Sequence, residues 1–137
     1  MREKREMQAE FIADQLYYMQ NAPNIFPIFK PLSKFLHNLQ HYGFIDAECE
    51  ITTFVLLWGI GGCRTRKRIK WLKDKQLLRY FLTEIGYDNA LTREMVALSL
   101  FCDKWGKEAK LPKSDNKRLE ATGTDYIYLK KILKEFC

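Results

Sequence analysis

Histidine is nearly missing from this chain of 137 residues, where only His37 and His41 occur. They stand four apart on an expected helix, close enough to share a metal. The stretch "HNLQH" lacks, however, the glutamate that a zinc hydrolase of that spacing uses as its base. A third ligand would have to come from Glu48 or Cys49, and a His-based triad has no further histidine to draw on, so both histidines read as surface or boundary residues. The nucleophile elbow Gly-x-Ser-x-Gly is absent, as is the lysine–hydroxyl pair that closes a phosphate-binding loop. In "GIGGCR" (59–64) Arg64 stands where a dinucleotide cradle has its third glycine. The segment also follows an expected helix and precedes an expected strand, whereas a cradle needs the helix N-terminus after the glycines. A helix-ending turn accounts for it. The carboxylate pairs Glu6/Glu10 and Glu48/Glu50 fall at helix starts, where acids suit the positive helix end. The expectation is a non-enzymatic protein with no cofactor and no metal.

Paired cysteines are missing as well. Cys49, Cys63, Cys102 and Cys137 form no CxxC and no metal-type spacing. Long apolar runs are missing too. "ITTFVLLWGIGG" (51–62) is the longest at twelve residues, against the ~20 that a membrane-spanning helix needs. The opening "MREKREMQAEF" is charged and lacks the apolar core of a signal peptide. These features point to reduced thiols in a soluble, cytoplasmic protein without a membrane span. Nothing among them bears on oligomeric state.

What is present is a core's worth of apolar side chains. Hydrophobic residues make up 47% and aromatic residues 14%, enough for one domain to fold without disulfides. Periodicity predicts helices over 3–20, 32–42, 74–85, 92–105 and 125–136. Pro23, Pro27 and Pro31 predict an extended connector between the first two, since each proline lacks an N–H and obstructs the preceding turn. Gly43 ends the second helix. Asp46 is the expected N-cap of a helix running toward Gly59, with a strand as the alternative because of its β-branched residues. Asp74 and Thr92 are the expected caps of the next two helices, and Gly86 and Gly106 their ends. Residues 107–123 are expected as polar loop with a short β-excursion.

Charge is the most informative feature. The chain carries 23 basic and 17 acidic residues, and residues 61–80 hold eight of the former against Asp74 alone. That segment therefore carries +7 of the net +6, and the remainder sums to −1. Arg64, Arg66, Arg68 and Lys70 recur at period two on an expected strand that turns Ile69 and Trp71 inward, with Lys67 among them. Lys73, Lys75 and Arg79 carry the charge into the next helix. Such a patch attracts polyanions. An edge strand guarded by charge would present a similar run, although guarding alone works equally well with mixed signs.

The order "RIKWL", then "KQLLRYFLTEIG", then a helix ending "FCDKWGK", a polar stretch and a closing helix, resembles the C-terminal region of RteC-type regulators and related small proteins of conjugative transposons in Bacteroides-like bacteria. The matching positions are Ile69, Trp71, Leu78, Tyr80, Phe81, Gly106 and Lys107, within residues 68–136. The resemblance implies a winged-helix-like fold, DNA binding and control of mobile-element genes. The expected architecture is a single domain, mainly α with a small β element. Its helical N-terminal half (1–62) packs on a winged-helix-like C-terminal half (63–137). The expected function is a nucleic-acid-associated accessory or regulatory protein that contacts DNA phosphates through Arg64, Arg66, Lys67, Arg68, Lys70, Lys73, Lys75 and Arg79. The alternative is an adaptor whose basic patch meets an acidic protein.

Overall fold

The computed structural model describes residues 25–59 and 67–136, with side chains from Leu32 onward. The expected helix over 3–20, together with Cys63, Arg64, Arg66 and Cys137, lies outside the described residues. The elements are α1 (Ile25–His41), α2 (Ile51–Phe54, passing into a 3-10 turn over Val55–Trp58), β1 (Ile69–Lys70), α3 (Lys75–Glu84), α4 (Ala90–Leu100), β2 (Phe101–Cys102), α5 (Asn116–Ala121) and α6 (Thr124–Phe136). The chain is mainly helical with one small parallel sheet, in line with the sequence. No helix among the described residues is long and apolar enough to cross a membrane.

Helix α1 corrects the expected connector, because it starts at Ile25 and runs through Pro27 and Pro31. Pro27 is its third residue, where an N–H has no intrahelical acceptor to lose. Pro31 does leave one carbonyl without its donor, at about 3 kcal/mol for an interior proline. Leu32, Phe35, Leu36 and Leu39 on the following turns are all buried. At about 1.5–3 kcal/mol each, they outweigh that cost. Packing decides against the local rule.

Asp46 is not a helix cap. Its N–H donates to the Lys70 carbonyl at 3.2 Å, and Ile45 pairs antiparallel with Trp71. This segment is held extended, so α2 begins only after Glu50. The Gln40 side chain secures the intervening loop by donating to the carbonyls of Asp46, Ala47 and Cys49. Gly59, in the left-handed region at φ +70, ends the 3-10 turn, at one of the glycines expected to do so.

Strand β1 pairs on both sides. Ile69 and Lys70 run parallel to Phe101 and Cys102, while the antiparallel bridge to Ile45 closes the other flank. At Ile69 and Lys70 it is therefore an inner track of a small ribbon, with no open edge to guard there. As the alternation predicts, Ile69 and Trp71 are buried while Arg68 and Lys70 are half-exposed. The Trp71 ring lies 5.8 Å from Phe44, 5.4 Å from Phe81 and 6.3 Å from Phe101, and its Nε1–H donates to the Asp74 carbonyl at 3.1 Å. A second aromatic group gathers around Phe35, which stacks on Phe136 at 4.1 Å.

Helix α3 follows the sequence reading. The Asp74 carboxylate accepts from the Gln76 N–H at 2.8 Å, and Leu77, Leu78, Phe81 and Leu82 form the buried stripe. Helix α4 differs at both ends. Asn89, not Thr92, caps it, accepting from the N–H groups of Leu91 and Thr92. It stops at Leu100 rather than Trp105, because Phe101 and Cys102 leave the helix to pair with β1. Helix α5 occupies part of the expected polar loop, capped by Asp115, whose side chain accepts from the Arg118 N–H at 3.1 Å. The expected β-excursion is there as well, as a bridge between Cys102 and Glu108. Helix α6 buries Leu129, Ile132 and Leu133 as predicted.

Both described cysteines are free thiols held protonated. Burial, then the charges of Asp46 and Glu50, push Cys49 up to about 12, and burial raises Cys102 against the opposing pull of Lys70 and Arg68. A thiol raised in the folded state leaves stability intact below its ordinary value of 9.0 and removes it as pH climbs from there toward about 12. We expect the Cys49→Ala protein to lose less stability than the parent between neutral and strongly alkaline pH. Parallel urea titrations at the two pH values check this, and equal losses would show that Cys49 ionises normally.

Candidate functional site

"DKWGK" (103–107) turns the chain back immediately after β2. The Asp103 N–H donates to the Lys107 carbonyl at 2.8 Å and the Gly106 N–H to the Asp103 carbonyl at 3.0 Å, closing a hairpin. Aspartate opening the turn and glycine three residues later suit a type I turn followed by a left-handed residue. Gly106 has φ +78, where an L side chain would be strained. The Asp103 carboxylate fastens the turn from inside, with Oδ1 accepting from the N–H groups of Trp105 and Lys107 at 2.9 Å each. Trp105, expected inside a helix, instead stands at the hairpin tip and is 72% exposed, with the Lys104 ammonium 4.4 Å from its ring centroid.

The hairpin faces the N-terminus of α3 across a groove of about 900 Å³ whose lining includes Lys73, Asp74, Lys75, Asp103, Lys104, Trp105, Lys110 and Arg118. A second hollow of about 470 Å³ shares Lys75 and Lys110 with it and adds Arg68, Lys107 and Glu108. Together they present seven cations against three carboxylates. Two of those carboxylates are already engaged. Asp74 caps α3 with Oδ1 and pairs through Oδ2 with Arg118 at 3.3 Å, while Asp103 is bound to its own turn. In contrast, Lys75, Lys104, Lys107 and Lys110 form no ion pair with a carboxylate among the described residues. The field in the groove is therefore positive, with four ammonium groups available to an anion.

The structure brings only part of the sequence-expected set to this place. Arg68, Lys73 and Lys75 line the two hollows, although Lys73 also pairs with Asp125 at 3.4 Å and Arg68 Nε donates to the Ser99 carbonyl. Lys67 is exposed and pairs with Glu50 at 3.0 Å, away from the groove. Lys70 is half-exposed and lines neither hollow. Arg79 lies partly buried on α3, where burial first and then the charge of Arg93 lower its pKa. Arg64 and Arg66 are outside the described residues. Lys104, Lys107, Lys110 and Arg118 were not anticipated. The signal for three of them was a lysine at every third position from Lys104 to Lys113.

No metal-holding group of three or more His, Cys, Asp or Glu side chains occurs among the described residues. The rings of His37 and His41 lie 6.5 Å apart with centroids stacked on the exposed side of α1. No protein-family profile matches the chain, and no curated protein or solved structure matches it either.

Asp103 gives the site a pH signature. Its carboxyl is held below its ordinary 3.8, first by the Lys107 N–H, with further help from the Trp105 N–H and the charges of Lys75 and Lys107. A carboxyl depressed in the folded state stabilises the hairpin above its unfolded value and loses that effect as pH falls through the folded value. An NMR titration of the Asp103 carboxyl should show a midpoint below 3.8, with the Trp105 and Lys107 amide shifts moving at the same pH. A midpoint at or above that value would mean that the carboxylate does not fasten the turn.

Proposed function

We propose that this chain is a non-enzymatic, nucleic-acid-associated accessory or regulatory protein that holds phosphates in the groove between α3 and the Asp103–Lys107 hairpin. One observation carries the reading. Lys75, Lys104, Lys107 and Lys110 converge on joined hollows without carboxylate partners, while the neighbouring acids are engaged elsewhere. Like charges gathered in this way repel one another, and a polyanion relieves that repulsion while releasing its own counterions.

The reading includes a winged-helix-like arrangement of the C-terminal half. Its support is the element order β1, α3, α4, β2 and hairpin, in which the hairpin takes the place of the wing. Helix α4 then occupies the position of a reading helix, yet its exposed residues are Ala90, Leu91 and Glu94, with no exposed cation. The contacts therefore belong to the hairpin side. The mobile-element setting rests on the sequence resemblance alone.

Anisotropy of a labelled oligonucleotide at low salt tests the reading, with binding that fades as salt is added as the expected outcome. A chain that binds neither DNA nor RNA at low salt overturns it. Retention of an acidic protein through the same lysines would then assign the groove to a protein partner.

A further inference from the structure

Resting on that reading, we infer that the groove takes a single strand of nucleic acid, with an unstacked base lying on the indole of Trp105. The remaining tryptophans are packed, Trp71 being 2% exposed and Trp58 half-buried, so Trp105 at 72% is the exception. It is not a loose side chain on a loose loop. Its own N–H and that of Lys107 donate to the Asp103 carboxylate, and Gly106 supplies the left-handed turn that follows. The hairpin thus holds a large aromatic surface out in solvent at the lip of a cationic groove.

Double-stranded nucleic acid has little use for such a ring. In a duplex every base face is covered by its neighbours, so an indole finds only edges and backbone. A single strand offers base faces, and stacking on an aromatic side chain tolerates any sequence because every base has one. The Lys104 ammonium lies over one face of the Trp105 ring, 4.4 Å from its centroid, so a base stacks on the opposite face while the lysine keeps positive charge beside it. Lys75 and Lys110, shared by both hollows, continue the charge inward along the path of the strand. The helix that would read a duplex supplies no exposed cation. These observations favour the single strand together.

The test compares oligothymidylate, oligouridylate and a mixed-sequence duplex of equal length, binding to the parent, Trp105→Ala and Trp105→Phe. Either single strand should bind more tightly than the duplex and quench the tryptophan emission of the parent, and the tighter of the two names the natural polymer. Trp105→Ala should weaken single-strand binding about tenfold with the salt slope unchanged, since the indole carries no charge, and Trp105→Phe should restore most of it. An unchanged melting curve checks that the alanine variant is folded, while the parent's quenching needs no variant at all. Duplex binding as tight as single-strand binding overturns the inference. So does a Trp105→Ala protein that binds as the parent does, or inorganic polyphosphate that competes as well as the oligonucleotides. In each of those cases, salt-sensitive binding that depends on Lys75 and Lys110 would leave the phosphate-groove reading standing. Absence of all nucleic-acid binding at low salt removes both.

Discussion

Trp71→Ala is expected to lower the free energy of unfolding by about 3–5 kcal/mol, the usual cost of emptying a buried tryptophan site. The ring is 2% exposed and touches three separate segments of the chain through Phe44, Phe81 and Phe101. Its indole N–H also satisfies the Asp74 carbonyl at the start of α3, so truncation removes a hydrogen bond and leaves a cavity at once. A domain of this size has roughly 5–15 kcal/mol to lose, so the variant should forfeit a large share of its stability. Trp105→Ala is the control. It removes the same side chain from the hairpin tip, and its effect on stability should stay within about 0.5 kcal/mol. Chemical denaturation of both variants decides the matter. Similar shifts in midpoint would mean that the inward and outward faces of the ribbon have been assigned the wrong way round.

Replacing Lys75 and Lys110 together by alanine should weaken oligonucleotide binding by roughly 65-fold at ~0.05 M salt, if parent and variant converge near ~1 M, where counterion release no longer helps. The magnitude follows from charge alone. Each phosphate neutralised on a single strand contributes about 0.7 to the slope of log K against log salt, and about 0.9 on a duplex. The four lysines without ion pairs, Lys75, Lys104, Lys107 and Lys110, therefore set a parent slope of about −2.8 for a single strand. Removing two should make it shallower by about 1.4. All sequences should weaken alike, because phosphate contacts carry little sequence information. Lys110 is exposed and Lys75 half-exposed, so the melting temperature should hardly move. A slope that does not change would place the phosphates elsewhere. Arg64→Ala, Arg66→Ala and Arg68→Ala combined is then the variant to measure, with a slope shallower by about 2 on a single strand, or about 2.7 on a duplex, if the basic run before β1 is the grip.

Helix α3 shows what can be read along a chain. Its cap, its stripe and its stop are contributed by Asp74, Leu77 to Leu82 and Gly86, all within one short segment. Each acts on neighbours three or four residues away, which is the range of helix periodicity and capping. The terminal helix α6 was legible for the same reason. Helix α5 was not, because it has no buried residue and so leaves no apolar period in the sequence.

The opposite case is the stretch from Met95 to Trp105. Its apolar residues continue the helical period through Phe101 and Cys102, and by local rules the helix should continue with them. It stops because Phe101 finds Ile69, a partner 32 positions earlier in the chain. That pairing turns Trp105 from an expected core residue into the most exposed of the large apolar side chains among the described residues. Likewise, Pro31 argues locally against a helix, and only the burial of Leu32, Phe35, Leu36 and Leu39 overrides it.

The sequence by itself determined that the chain is mainly helical, that Ile69 and Trp71 point inward, and that positive charge is concentrated before and within α3. These follow from spacing along the chain, because a side chain's direction in a helix or strand is set by its position in the local repeat. Which charges act together was decided by the tertiary structure. Lys67 and Lys73 meet Glu50 and Asp125, while Lys75 meets Lys104 and Lys107 from a hairpin that follows another helix and strand, and Lys110 from the segment just after it. The parallel pairing of β1 with β2 carries that hairpin to the start of α3. Electrostatic fields add over distances in space, and separation along the chain does not enter.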